Sequence, residues 1–99
     1  MVAIMAQAAR STRISPEQEL LYSLGEVVRK RRLALNLSQE ELAGRAGVHR
    51  TYLSDIERGA RNITITVLTR LADALDVKVS RLFRLTEQQV IDRPKGRAR

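Results

Sequence analysis

The sequence predicts an all-α protein, a compact bundle of five helices. Three observations predict it. Apolar residues make up 43% of the 99 but aromatic residues only 3%, so the core is aliphatic, whereas a β-sandwich would want more aromatic and β-branched side chains. Apolar positions recur at helical spacing through the middle of the chain, with no strand-like alternation. Capping and stopping residues break that pattern at intervals suited to short helices. The length suits one domain with a modest core.

Residues 1–14 are small and polar without a sustained period and are expected to form a flexible arm. In "SPEQ", Ser15 is the N-cap, Pro16 occupies the first helical position and Gln18 completes a capping box. Leu20, Leu24, Val27, Val28 and Leu35 then form one apolar stripe, so the first helix runs over 16–35 and stops at Asn36, whose short amide tolerates positive φ. Ser38 and Glu41 form a second capping box. Leu42, Ala43 and Ala46 face inward, and Gly47 ends that helix. His49 begins a third helix, with Val48, Leu53 and Ile56 apolar and Gly59 closing it. Asn62 and Thr64 are capping candidates before a fourth helix carrying Ile65, Leu68, Leu71, Ala72 and Leu75. Val79, Leu82 and Phe83 form a short fifth. Beyond Leu85 the apolar pattern fades; "TEQQV" could extend the helix by a turn or two, but residues 86–99 are expected to be a basic, mostly disordered tail, with Pro94 and "KGRAR" its clearest part, after a domain spanning 15–85.

The net charge of +7 points to a polyanionic partner. Much of the excess sits at the ends, where Arg10 and Arg13, then Arg93, Lys95, Arg97 and Arg99, stand without acids. Within residues 29–61, however, eight basic residues face four acidic ones. No cysteine is present, which excludes disulfides, thiol catalysis and cysteine-ligated metal. His49 is the sole histidine, so no histidine pair for zinc exists, and helix capping or a phosphate contact suits it better. Glu40 and Glu41 are adjacent on a helical first turn, where the dipole favours acids. With no nucleophile–base pair and no glycine-rich phosphate loop, neither catalysis nor a cofactor is expected. No apolar run approaches a membrane span, and the "MVAIMAQAAR" opening lacks the order of a secretory signal. A cytoplasmic, nucleoid-associated location follows.

A short second helix, a tight turn at Gly47 and an amphipathic third helix make a helix-turn-helix. With Leu53 and Ile56 turned to the core, the outer surface of the third helix carries Arg50, Thr51, Ser54, Asp55 and Arg58. Arg50 and Thr51 lie in its first turn, the part of a recognition helix that reaches base edges. An acid at Asp55 is out of place near phosphates; it either accepts from cytosine or holds Arg58 three residues on, the second being favoured.

The segment "LGEVVRKRRLALNLSQEELAGRAGVHRTYLSDIERGARNITITVLTRLADALDVKVSRLF" resembles the phage-repressor-type (Cro-like, or XRE) helix-turn-helix family, most specifically at "LSQEELA", the Gly47–Val48 turn, "IERG" and "RN". The stretch "HRTYLSDIERGARN" is especially similar to the controller proteins of restriction–modification systems. The resemblance implies a repressor-like five-helix domain that forms a homodimer on a partly palindromic operator and regulates transcription. It implies base contacts by Arg50, Thr51, Ser54 and Asp55, with Arg50 suited to guanine O6 and N7 together. It implies phosphate or backbone contacts by Gln39, Tyr52, Arg61 and Asn62, with Arg58 beside them. It also implies an ion pair between Arg32 and Glu57, leaving the rest of "RKRR" as a solvated face. Val79, Leu82, Phe83 and Leu85 are the expected dimer surface, although they could instead close the monomer core. Double-stranded DNA is the expected partner, with RNA polymerase as a further one. Two alternatives stay open: the DNA-binding antitoxin of a toxin–antitoxin pair, partnered by its toxin, and a helical protein-interaction module.

Overall fold

A computed structural model describes residues 14–93; the expected arm over residues 1–13 and the basic segment 94–99 lie outside the described residues. Five helices follow in order: α1 (Pro16–Ala34), α2 (Gln39–Ala46), α3 (Arg50–Glu57), α4 (Ile65–Ala74) and α5 (Val79–Asp92). Among the described residues there is no strand, and no helix is long and apolar enough to cross a membrane.

Local signals account for most boundaries. The hydroxyls of Ser15, Ser38 and Thr64 accept from the backbone N–H of Gln18, Glu41 and Val67 at 3.0, 3.0 and 3.1 Å, each cap stabilising its helix by about 0.5–2 kcal/mol. At α2 the capping box is complete, because Glu41 accepts the Ser38 N–H at 2.8 Å. At α1 it is only half formed. The Gln18 amide instead donates to the Gly59 carbonyl at 2.7 Å, which ties the start of α1 to the end of α3. The first four helices close in one way, with the N–H of Leu37, Val48, Ala60 and Val77 bonding back five residues. That closure needs a left-handed residue just before each donor, and Asn36, Gly47, Gly59 and Asp76 supply it with φ between 57 and 71°.

The helices pack α1 on α3 and α5, and α2 on α3 and α4. Val28, Leu42, Leu53, Leu71, Leu75 and Leu82 are fully buried where those layers meet, and truncating any of the leucines to alanine costs about 2–5 kcal/mol. Leu20, expected in the apolar stripe of α1, is exposed. Arg31 is not part of a solvated face. Its guanidinium donates to the carbonyls of Leu75 at 2.9 Å and Asp76 at 3.4 Å, placing a cation at the negative end of α4.

Over residues 86–92 the helical extension holds and the disordered tail is corrected, since α5 continues through Asp92. The apolar pattern fades there because that half of α5 is held to α1 largely by polar contacts. Gln89 donates to Glu26 at 3.0 Å and accepts from Lys30 at 3.4 Å. Arg93 donates to Glu26 at 3.0 Å and lies 5.6 Å from the Tyr22 ring centroid. Thr86 is buried, and its hydroxyl bonds to the Leu82 carbonyl. Leu82 likewise belongs to the monomer core rather than to a dimer surface, because α5 turns it inward. Val79 and Leu85 are half-buried, whereas Phe83 is exposed.

Helix α1 can approach α3 closely because of Gly25. A β-carbon at that position would stand 2.5 Å from the carbonyl oxygens of Ile56 and Glu57, and backbone cannot rotate away as a side chain does. A Gly25→Ala change should therefore lower stability by about 1–3 kcal/mol through overpacking, although alanine is intrinsically the better helix former by about 1 kcal/mol. Chemical denaturation checks the sign. A stabilised Gly25→Ala variant would mean that the two helices are not in backbone contact.

Candidate nucleic-acid interface

The turn between α2 and α3 is three residues long, and its course is set by left-handed Gly47 (φ 71°). Val48 tucks in behind it, half-buried against the core. Leu53 and Ile56 then anchor α3 from within. A residue three or four places from an outward one shares its helix face. Arg50 and Thr51 are accordingly exposed in the first turn, with Ser54 and Asp55 half-buried one turn on and Arg58 exposed beyond them. The structure thus brings the expected base-reading residues onto one surface. Exposed Arg61 and Asn62 follow in the loop after α3.

Beneath that surface lies the ion pair between Arg32 and Glu57. Arg32 Nε and Nη2 donate to the Glu57 carboxylate at 2.7 and 3.1 Å, and Arg32 Nη1 donates to the Leu37 carbonyl at 2.8 Å. Both side chains are largely withdrawn from solvent. Glu57 raises the Arg32 pKa above its already high ordinary value, chiefly through the hydrogen bond, against an opposing effect of burial. Arg32 stays charged at any working pH. Gln39 completes the arrangement, its amide donating to Glu57 Oε1 at 3.0 Å. The residue expected to anchor phosphate therefore also joins α2 to α3, and its remaining amide N–H is the one available to an anion.

A second cluster occupies the outer end of α3. Asp55 accepts from Arg58 and, at 3.2 Å, from Arg61. The Arg61 guanidinium in turn lies 4.7 Å from the centroid of the Tyr52 ring, within cation–π range. An open cleft lined by His49, Thr51, Tyr52 and Arg61 runs beside the first turn of α3. His49 holds the N-cap position but makes no side-chain capping bond. The hydrogen bond from Arg61 is the main cause that holds the Asp55 carboxyl below its ordinary pKa, with Arg58 adding to it and desolvation opposing. A depressed carboxyl pKa stabilises the fold above the unfolded value, and this contribution fades only as the pH falls through the lower folded value. Asp55 is thus charged throughout the neutral range.

Four residues of this framework take roles that the sequence reading did not give them. Gln18 and Tyr22 brace the end of α3, Gly25 admits it, and Arg31 caps α4. A glycine inside an otherwise apolar helical stripe was a usable signal for Gly25. The others depend on contacts between residues distant in sequence.

A short helix, a left-handed glycine turn and a second helix with a polar outer face define a helix-turn-helix protein. The chain belongs to the helix-turn-helix family, whose sequence profile matches residues 28–82. It is 49% identical over 60 residues to the control protein C.SmaI of Serratia marcescens, covering 61% of this chain and 71% of that one. It is 44% identical over 63 residues to the control protein C.BamHI of Bacillus amyloliquefaciens, covering 63% and 78%. Among solved structures it is similar to the restriction–modification controller protein C.AhdI from Aeromonas hydrophila, with 40% identity, a TM-score of 0.62, and 63% and 94% of the two chains covered. It is also similar to the controller C.Esp1396I, solved as a tetramer with its natural 35-base-pair operator, with 34% identity, a TM-score of 0.68, and 74% and 96% covered.

Glu57→Ala strands a buried guanidinium and frees the amide of Gln39, and should destabilise the fold by about 3–5 kcal/mol. Glu57→Gln should cost less, since it keeps one acceptor. Urea denaturation of the three proteins checks the order, and an unchanged midpoint for Glu57→Ala would rule out a structural role for the pair.

Proposed function

We propose that this chain is a sequence-specific DNA-binding transcriptional regulator, acting as a homodimer on a partly palindromic operator and controlling a restriction–modification system. The observation that carries this reading is the exposed first turn of α3, with Arg50 and Thr51 on the outer face of a helix anchored by Leu53 and Ile56. The control proteins among its relatives support the system assigned. The operator-bound controller among its structural neighbours supports the mode of binding.

In this reading α3 enters the major groove and Arg50 donates through its planar fork to guanine O6 and N7. Thr51 meets a thymine methyl or a neighbouring acceptor, and Ser54 follows one turn on. Gln39 at the start of α2 meets the phosphate backbone beside the open N–H groups of that helix. Tyr52, Arg58, Arg61 and Asn62 meet the flanking backbone. Two subunits place their helices in grooves about one helical turn apart. The subunits meet at the exposed side of α5 around Phe83, with half-buried Val79 one turn before it.

Selection of bound sequences from a random duplex library, at near-physiological salt, tests recognition. The reading predicts a two-fold-symmetric motif with guanine or thymine at fixed positions. Recovery without enrichment would overturn it. On the selected duplex, Arg50→Ala should weaken binding by about 1–3 kcal/mol and relax the preference at one base position per half-site. Sedimentation through the nanomolar to micromolar range should show the dimer dissociating. Phe83→Asp should shift that equilibrium to the monomer without unfolding the chain, and a Phe83→Asp dimer as tight as the wild type would exclude this face.

A further inference from the structure

Asp55 is an acid on the face that the preceding reading turns toward phosphates, and neither the helix nor the core accounts for it. It lies in the second half of α3, where the helix dipole disfavours a carboxylate. The ion pair that fastens α3 to the core is made by Glu57 instead. The partners of Asp55 are Arg58 and Arg61, whose side chains are 66% and 50% exposed, while its own is 19% exposed.

We propose that Asp55 is a specificity-determining residue: by holding Arg58 and Arg61 together beside Tyr52, it lowers attraction to arbitrary DNA and presents both guanidiniums already ordered to the operator. The proposal rests on the DNA-binding reading above. Binding to arbitrary duplex depends on how many cations reach phosphates and displace counterions, with little regard to their order. Two guanidiniums sharing one carboxylate deliver one net charge to that process. Binding to an operator depends on where each donor stands. Here the carboxylate engages a single terminal nitrogen of each arginine, out of five N–H donors on a guanidinium. Arg58 Nε also donates to the Ser54 carbonyl at 3.4 Å, and the other donors of the two arginines stay open to phosphate. Arg61 is further fixed against the Tyr52 ring and borders the cleft beside Thr51, so its position is registered to the first turn of α3. Asp55 is a positioning residue in this scheme, acting through the two arginines.

The test compares wild type, Asp55→Asn and Asp55→Glu on two probes, the duplex recovered by selection and a scrambled duplex of the same length, over a range of salt. Asp55→Asn should bind the scrambled duplex about threefold or more tightly, and the selected duplex no better than wild type. Its ratio of selected to scrambled affinity should fall about five- to tenfold. Asp55→Glu, which keeps the charge on a longer arm, should recover part of that ratio. In the free protein, the Arg61 Nε–H nitrogen relaxation should report an ordered guanidinium in wild type and a mobile one in Asp55→Asn. An unchanged ratio, with wild-type preference intact, overturns the proposal alone. So does a changed base preference at one operator position, which would make Asp55 a direct reader. A wild-type chain without preference for the selected duplex overturns the DNA-binding reading and the proposal with it.

Discussion

The carboxylate of Glu57 is where three helices are fastened to one another. It takes two hydrogen bonds from Arg32 on α1 and one from Gln39 on α2, and it is itself the last residue of α3. Arg32 also reaches the carbonyl of Leu37, so the loop between α1 and α2 is held by the same group. An eight-residue helix is too short to be stable alone, and the axis of α3 is therefore set by what surrounds it. Leu53 and Ile56 set its depth. The Glu57 assembly, the Gln18 amide on the Gly59 carbonyl and the backbone contact at Gly25 set the position of its far end. Buried charge contributes orientation here more than net stability, because desolvation offsets much of the Coulombic gain.

Charge is partitioned accordingly. Arg32 is spent inside the fold, Arg31 on the end of α4 and Lys30 on Gln89 of α5, so three of the four residues of the "RKRR" run serve architecture. The cations left on the surface near α3 are Arg50, Arg58 and Arg61, and the structure treats them differently. Arg50 stands exposed at the start of the helix, whereas Arg58 and Arg61 are coupled through Asp55 and the Tyr52 ring. One free fork beside a pre-arranged pair is a division of labour suited to reading a base with the first and fixing register with the others.

What the sequence made legible was local. Ser15, Ser38 and Thr64 as caps, and Asn36 and Gly47 as left-handed stops, act within a few residues of themselves and could be read directly. The apolar periods of α3 and α4 identified their buried faces for the same reason, except at Ile65, which stands exposed in the first turn of α4. The outward set on α3 followed by elimination, and that is why the candidate interface was more readable than the rest of the surface. The second half of α5 was left between a helical extension and a disordered tail because Glu26, Lys30, Gln89 and Arg93 hold it to α1 through polar contacts, which leave no apolar period. Leu82 was assigned to a surface because an isolated apolar residue carries no record of which neighbour covers it. Arg31 looked like one member of a basic run, and only the end of α4, more than forty residues away, gives it a role.

The central claim is that the outer face of α3, held by the Glu57 assembly, is the surface that reads DNA. Backbone and arginine side-chain NMR shifts of the full chain, followed while the selected duplex is titrated in, test it most directly. The account predicts large changes at Arg50, Thr51, Ser54, Arg58 and Arg61, smaller ones at the start of α2, and little change at the buried pair of Arg32 and Glu57. Changes confined to α5 or to the chain ends, with α3 unaffected, would contradict it.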